Sequence, residues 1–514
     1  MTATAASWVG PTAHLRIFTT LACGAAAAGL GILTGFRPEM GLAAAAAALV
    51  LLGIALRPDL ATLLAIALIY SNAAVVASRF HGIPYFAASV IPMLFVIPLA
   101  HRIIVRREQL VVTPALRLMF VLFFVHIVGT LFSRAPALAF EEVVRFVGEG
   151  LVIVLLLTQA IRTAAMLRAA VWVLLLVGGA LGTLSIVQQV TGTFDNSYLG
   201  FAQVGETEIR LADPTLAREE LQPRLEGPVG EKNRYAQVMI VLVPLGLFRV
   251  RGERSPAARA LAAAATTVIT LAVLLTYSRG AAVAFLLLLG VAAVLRYART
   301  WHLVACLLAI AAVFAIVPGY IHRISTLQDV PALAAGQQIS SETSIGLRTN
   351  STLAAVAMFR DHPVLGVGPG LYATEYRAYA PRVGGIVGTA DFEAHTLYLE
   401  IAAEQGVIGT VTYAALFAVV LVALARGRRR WIEEQPELAN LASGFFLAVI
   451  AYLATGLFLH LSYHRYLWLL MGLAIAAAWI VRPNQGAPAA SESPPPLAVA
   501  RPDRFRAPVA APSG

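Results

Sequence analysis

Apolar runs of about 17–25 residues recur along the chain and are separated by short polar segments, and a helix of that length crosses a bilayer. A helix also satisfies its own backbone hydrogen bonds inside lipid. We therefore predict an all-α, polytopic transmembrane helix bundle with about 12–14 spans. The predicted spans are 15–36, 40–57, 59–78, 84–104, 114–133, 146–161, 167–190, 234–249, 259–277, 281–296, 302–319, 396–425, 441–460 and 465–482.

Two segments between these spans are too long to be simple turns, and long loops in compact proteins usually carry function. The tail is rich in Pro, Ala and Ser, which predicts a disordered cytoplasmic extension. We predict the following organisation: N-terminal transmembrane helices at 1–190, a loop at 191–233, transmembrane helices at 234–319, a large helical loop at 320–395, C-terminal transmembrane helices at 396–482 and the tail at 483–514.

The composition excludes a soluble protein of this length. Hydrophobic residues make up 59% of the chain, charged residues only 13%, and the mean hydropathy is +0.77. The net charge of +10 does not indicate a nucleic-acid partner, because the basic residues lie in short clusters between apolar spans. The two cysteines fall in apolar runs, so we predict neither a disulfide framework nor a cysteine metal cluster.

The basic clusters predict how the helices are oriented. Cytoplasmic loops of membrane proteins carry an excess of Lys and Arg. If the N-terminus is cytoplasmic, the arginine-rich short loops lie inside and the two long loops lie outside, so we expect both termini in the cytoplasm. The inner clusters would be Arg102, Arg106 and Arg107; Arg162 and Arg168; Arg249, Arg251, Arg254 and Arg259; Arg296 and Arg299; and Arg426, Arg428, Arg429 and Arg430.

Two short polar segments at predicted outer helix ends could bind anions. In TYSRGA at 276–281 the turn is so tight that Arg279 must lie at or just within the outer interface. Arg279 is then either a snorkelling anchor or a clamp whose donor fork fits diphosphate oxygens. The segment from Arg224 to Arg234 puts cations at a helix start, where free N–H groups also attract anions; alternatively it is a solvated loop.

The second long loop carries the candidate acid–base chemistry. It contains Arg348 and a glycine-rich turn, and it ends with Asp391, Glu393 and His395. A nearby carboxylate would orient a histidine that exchanges protons near neutral pH, although a histidine at a helix end is often structural.

Another histidine pair lies near the last predicted span. His460 and His464 are one helical turn apart, but the neighbouring sequence offers neither a carboxylate nor a third ligand. We therefore predict interfacial anchoring by the adjacent aromatic residues there, and no metal.

Taken together, the segments resemble the O-antigen ligase and polymerase superfamily of bacterial membrane glycosyltransferases. The resemblance is carried by TYSRGA at 276–281, DHPVLGVGPGLY at 361–372 and AHTLYLEIAAEQGVIGT at 394–410, with a looser match from Arg224 to Ala236. It is strongest over about 220–425 and extends over most of the chain by helix pattern only.

The resemblance implies a GT-C-type fold with a large periplasmic loop, in the bacterial inner (plasma) membrane. It implies transfer of undecaprenyl-diphosphate-linked saccharide to a lipid or glycan acceptor at the periplasmic face, without a metal, a cofactor or a nucleotide sugar. By this likeness Arg224, Arg279 and Arg348 hold the lipid diphosphate, and His395 is the general base of an inverting transfer. Other polysaccharide-assembly proteins are further possible partners.

The sequence departs from the family pattern at two positions and leaves the reaction type open. Thr396 stands where family members often have Asn, and Lys232 where they often have Pro.

A ligase and a polymerase remain alternatives, and the length of the chain mildly favours a polymerase. A transporter or flippase of lipid-linked glycans is a third reading, but only His126 and Glu149 offer ionisable groups deep in a predicted span.

Overall fold

A computed structural model describes residues 48–84, 91–205, 223–297, 344–384, 393–460 and 464–482, with isolated positions at 301, 304, 307 and 308. The predicted span at 15–36, almost all of that at 302–319 and the tail at 483–514 lie outside the described residues. The described part is built almost entirely of helices, which confirms the predicted all-α class.

The described residues of the N-terminal half contain the following helices, most of which overlap a predicted span. They are α1 (Asp59–Tyr70), α2 (Ala73–His81), α3 (Val96–Ala100), α4 (Pro114–Leu131), α5 (Pro136–Arg145), α6 (Val152–Ala160) and α7 (Ala164–Thr191). Helix α3 continues into a π-helical turn at His101–Val105, and a π-helical turn at Phe146–Leu151 joins α5 to α6. Proline at the first turn of α4 and α5 suits a helix start, because that N–H has no partner inside the helix.

The described residues after α7 include two short strands and nine helices. They are β1 (Gln203–Gly205), β2 (Arg224–Gly227), α8 (Lys232–Ile240), α9 (Leu242–Gly252), α10 (Pro256–Leu275), α11 (Arg279–Val294), α12 (Ser344–Asp361), α13 (Tyr372–Tyr379), α14 (Leu397–Trp431), α15 (Pro436–Thr455) and α16 (His464–Ile480). A short 3-10 turn at Ala380–Val383 follows α13.

Among the described residues, seven helices are long and apolar enough to cross a membrane, and the bent pair α1–α2 could form an eighth crossing. The protein is therefore a multi-pass membrane protein, as predicted. The predicted span at 146–161 is longer in the structure, since α5, the π-helical turn and α6 run together from Pro136 to Ala160. The predicted span at 59–78 is bent by 55° between α1 and α2.

Small residues let the long helices approach closely. Helix α7 packs against α10, and α9 packs against α15. A Cβ added at Gly178 would lie 2.3 Å from Leu242, and one at Gly182 would lie 3.0 Å from Val268. Both glycines therefore serve packing, as their spacing predicts.

The first long loop contains the two strands, which helical periodicity does not predict. Strand β1 pairs antiparallel with β2, and Val204 lies opposite Leu225. Each strand is only three or four residues long, which is too short to give a clear alternating pattern. The pairing places β2, and with it Arg224, directly before α8.

The glycine-rich turn at 362–370 packs its backbone against a break in α14. Gly406 has φ 59° and ψ −159°, so α14 is kinked there. The N–H groups of Val367 and Gly368 donate to the carbonyls of Ala403 and Glu404, each at 2.9 Å. In a straight helix these carbonyls would accept from N–H groups of α14 itself; here they accept from the turn. These hydrogen bonds fix the loop to the start of α14.

We expect Gly406→Ala to destabilise the protein by about 1–3 kcal/mol, the usual cost of a strained backbone position. The new Cβ would lie 2.3 Å from the carbonyl oxygen of Val364, and φ at this position is left-handed. Thermal unfolding of the purified protein in detergent measures the effect. The matched control is Gly290→Ala, where a Cβ meets nothing within 4 Å; equal midpoints for both variants would contradict this account.

Candidate functional site

Arg279 is the first residue of α11, and a tight turn after α10 sets its position. Tyr277 takes a left-handed backbone conformation with φ 52°. Ser278 then caps α11, since its hydroxyl accepts a hydrogen bond from the N–H of Ala281. Arg279 is half-buried at this helix start. The turn therefore holds a guanidinium at the same end of the bundle as the starts of α8 and α14.

Arg224 braces the turn that carries Arg279. Its Nε donates to the carbonyl of Thr276 and its Nη2 donates to the carbonyl of Tyr277, both at 3.0 Å. Arg224 is buried on β2. Because two of its donors are used by backbone carbonyls, the structure brings Arg224 to the site as a support of the turn. Its predicted contact with a diphosphate stays a prediction.

The start of α8 is tied to the same turn. The carboxylate of Glu231 caps the helix by accepting from the N–H groups of Asn233 (3.0 Å) and Arg234 (2.7 Å). The hydroxyl of Ser278 donates to Oδ1 of Asn233 at 2.8 Å. The capping carboxylate thus fixes both Asn233 and the neighbouring Arg234 against the turn before α11.

Arg234 is a buried cation that the sequence analysis did not single out. Only 2% of the residue is exposed, and its Nη1 donates to Oε1 of Gln237 at 3.3 Å. Its Nη2 has no hydrogen-bond partner among the residues that the structure describes. In the sequence Arg234 looks like one more charge of a polar loop, so no local signal marks it as buried.

Arg348 lies on α12 and completes a row of cations. Burial lowers the pKa of its guanidinium; the charge of Glu231 raises that pKa and the charge of Arg279 lowers it further. Arg348 also lines a small, partly open cavity between the starts of α8, α11 and α12 and the end of α15. The other lining residues are Asn233, Ser278, Gly280, Ala281, Thr455, Phe458 and Leu459. Polar and apolar residues therefore both line this cavity.

His395 is held in a strained conformation just before α14. Its φ is 53°, which is uncommon for a residue with a side chain. The flanking backbone is pinned on both sides: Ala394 is fully buried, and the N–H of Leu397 donates to the carbonyl of Gly456 at 2.8 Å. Strain of this kind persists where the surrounding structure enforces it, often at functional sites.

The imidazole of His395 is neutral at physiological pH. Its pKa is lowered to about 4, chiefly by burial; Arg348, His460 and Arg234 act in the same direction, and Glu393 opposes them. A neutral imidazole has one nitrogen free to accept a proton. The structure therefore brings a potential base next to these arginines, with a pKa well below the near-neutral value that the sequence analysis expected.

Glu393 and His460 complete the surroundings of His395. Nε2 of His460 lies 2.8 Å from Oε1 of Glu393, and the rings of His395 and His460 lie edge to face with centroids 6.3 Å apart. The expectation that no carboxylate lies near His460 was therefore wrong. Glu393 is close to His395 in sequence, but only the fold brings it to His460.

Glu393, His395 and His460 are also close enough to approach a single metal ion, since their ligand atoms lie within 4.8 Å of one another. The surrounding charge opposes that use. Arg348 and Arg234 both act on His395, so a divalent cation there would face two guanidinium groups. The arrangement suits proton transfer better than metal binding.

Ionisable groups deeper in the bundle have partners of their own. Nδ1 of His126 lies 2.8 Å from the carbonyl of Leu122, and Glu149 lies 3.6 Å from Nη1 of Arg465. Glu404, which the sequence analysis did not mention, accepts from the backbone N–H groups of Gly370 (2.9 Å) and Tyr372 (3.0 Å). Glu404 thereby holds the glycine-rich turn against α14.

Comparison with known proteins finds a family that one segment of the chain matches. Residues 262–414 match the family model described as O-antigen ligase, so the predicted resemblance is confirmed over this segment. The segment includes Arg279, Arg348 and His395, whereas Arg224 and Arg234 precede it and His460 follows it. No curated protein matches the chain.

Proposed function

From the O-antigen ligase segment at 262–414 we propose that the protein transfers a saccharide from undecaprenyl diphosphate to a lipid or glycan acceptor. One observation carries the proposal: a neutral histidine lies beside a row of arginines at one end of a bundle of apolar helices. A base and an anion site next to each other are what glycosyl transfer from a lipid diphosphate requires.

The donor would bind between Arg279 and Arg348. Their guanidinium groups fit diphosphate oxygens, and the small cavity beside Arg348 is lined by polar residues as well as by Phe458 and Leu459. A diphosphate joined to an isoprenoid also combines a charged and an apolar part. The residues beside Arg348 therefore offer both kinds of contact.

The proposed reaction is a single inverting displacement. The acceptor hydroxyl oxygen attacks the anomeric carbon while its proton moves to a ring nitrogen of His395. The bond between the anomeric carbon and the phosphate oxygen breaks, and undecaprenyl diphosphate leaves with the electron pair. Arg279 and Arg348 stabilise the negative charge that develops on the leaving group.

We propose that this end of the bundle faces the periplasm. The opposite end carries arginine clusters, including an ion pair between Arg168 and Glu437 and one between Arg249 and Glu253 at 2.6 Å. Arginine-rich ends face the cytoplasm in most membrane proteins. The site would then lie on the outer surface of the bacterial inner membrane.

Transfer activity should persist at acidic pH. A base works in its neutral form, and the pKa of His395 is lowered to about 4. We therefore expect kcat/KM to be flat from about pH 8 to about pH 5 and to fall only as the pH drops through about 4. If kcat/KM instead fell near pH 6.5, the pKa of an unperturbed histidine, this environment of His395 would be contradicted.

A gene deletion in the source bacterium tests the function. The strain is complemented with the wild-type gene or with the Arg279→Ala variant, and glycans are separated by size and by anchor. Single repeats accumulating on the lipid indicate a polymerase, and long lipid-linked chains that stay unattached indicate a ligase. Accumulation of lipid-linked glycan on the cytoplasmic face would instead indicate a flippase and would contradict the proposal.

A further inference from the structure

We propose that Glu393 and His460 form a positioning pair for His395, in which the carboxylate stabilises the imidazolium formed during transfer and His460 holds the carboxylate in place. This inference rests on the proposed function. It concerns a contact between two chain segments that are far apart in sequence.

The backbone fixes the geometry of the three side chains. Glu393 and His395 flank Ala394, which is fully buried, and His460 follows α15. The hydrogen bond from the N–H of Leu397 to the carbonyl of Gly456 ties these two segments together at 2.8 Å. The side chains therefore meet because the start of α14 is anchored at the end of α15.

In the contact between Glu393 and His460, the histidine is buried and the carboxylate is partly exposed. The side chain of His460 is 9% exposed and that of Glu393 is 48% exposed, and their closest atoms are 2.8 Å apart. Burial lowers the pKa of His460, which favours its neutral ring, and Glu393 opposes that shift. A neutral ring has one N–H, which a small reorientation could direct at the carboxylate. Burial raises the pKa of Glu393, but His460 and Arg234 outweigh that effect and lower it, so the carboxylate stays ionised.

The charge around His395 explains why a carboxylate is needed. Proton transfer from the acceptor converts the neutral ring into a cation, and Arg348 and Arg234 both oppose a cation there. Glu393 is the neighbouring anion that favours it, with a carboxylate oxygen within 4.8 Å of a ring nitrogen. This interaction strengthens only as the proton moves, so it lowers the barrier without strengthening donor binding. The proton remains on His395, and Glu393 stays deprotonated.

The test uses the full-length protein in nanodiscs, with lipid-linked glycans extracted from the deletion strain as donor and acceptor. Glu393→Gln keeps the shape of the side chain and removes its charge. We expect kcat to fall by about 10–100-fold, with the KM for the donor nearly unchanged. The control Glu433→Gln removes an exposed carboxylate beyond the far end of α14 and should have no effect.

Substitution of His460 separates positioning from packing. His460→Gln keeps a donor for the carboxylate and should retain most of kcat, whereas His460→Leu should lose kcat as Glu393→Gln does. The double variant Glu393→Gln/His460→Leu should be no worse than either single variant, because the two residues act as a unit. Thermal unfolding midpoints identify any variant whose loss of activity reflects misfolding. Retained activity of a folded His460→Gln protein then shows that His460 acts by positioning the carboxylate.

Unchanged kcat in Glu393→Gln, or a raised KM with unchanged kcat, would overturn the positioning pair while the proposed function stands. Loss of wild-type activity on chelation and its recovery with Zn²⁺ would also overturn it, because the three residues would then be metal ligands. Failure of the wild type to transfer glycan under any condition would instead contradict the proposed function itself.

Discussion

Replacement of His395 by alanine lowers kcat for glycan transfer by about 10²–10⁴-fold, the usual range for loss of a general base. The KM for the lipid-linked donor stays nearly constant, because the arginines that would bind the diphosphate are untouched. The effect is large because the two neighbouring bases, Glu393 and His460, lie 2.8 Å apart and are engaged with each other. Rates with the purified protein in nanodiscs measure both constants.

The matched control for His395 is His362→Ala. His362 lies on the same loop, and its backbone contacts with Met358 and Gly366 do not involve the side chain. We expect wild-type kinetics for this variant. A His395→Ala protein that folds normally and transfers glycan at the wild-type rate would remove His395 from the mechanism.

Replacement of Arg279 by alanine lowers kcat by about 10²–10³-fold, as expected when a group that stabilises developing negative charge is lost. The KM for the donor should also rise, since the same guanidinium would bind the diphosphate before it leaves. Arg279→Lys keeps the charge and loses the donor fork, so its rate should lie between those of the wild type and the alanine variant.

Arg360→Ala is the control for this loss of charge. Arg360 is exposed near the C-terminal end of α12, the helix that carries Arg348. Its removal changes the net charge by the same amount as Arg279→Ala does, and it should leave both kcat and KM unchanged. Equal losses in the two variants would mean that Arg279 acts only through long-range charge, and wild-type rates in Arg279→Ala would contradict the diphosphate site.

Much of the helical architecture was predictable from apolar runs. The predicted spans at 114–133, 167–190 and 259–277 match α4, α7 and α10 within a few residues. The start of α5 was missed because Glu141, Glu142 and Arg145 interrupt the apolar run there. Glu142 is nevertheless buried, which composition along a single helix does not reveal.

Residues of the candidate site could be predicted where a single sequence segment marks them. Arg279 stands out because a tight turn between two apolar spans leaves its charge at a helix end. Arg348 and His395 stand out because they lie in a long loop that resembles a known family. Their proximity to each other is a property of the fold, since α12 and α14 pack together only in the folded chain.

Other parts of the site depend on contacts between distant segments. Arg234 is buried because α8 packs inside the bundle, although its sequence neighbours are polar. His460 meets Glu393 because the end of α15 is hydrogen-bonded to the start of α14. The glycine-rich turn predicts a sharp bend, but its close backbone packing against the kink at Gly406 requires the partner helix to be known.

The proposed reaction releases the lipid diphosphate at this site as a glycosidic bond forms. It is tested most directly by supplying the purified protein in nanodiscs with lipid-linked glycans from the deletion strain and counting free undecaprenyl diphosphate against new glycosidic bonds. We expect equal amounts of both products with the wild type, and neither above background with His395→Ala. Lipid-linked glycan that remains intact in the presence of folded wild-type protein would contradict the proposed reaction.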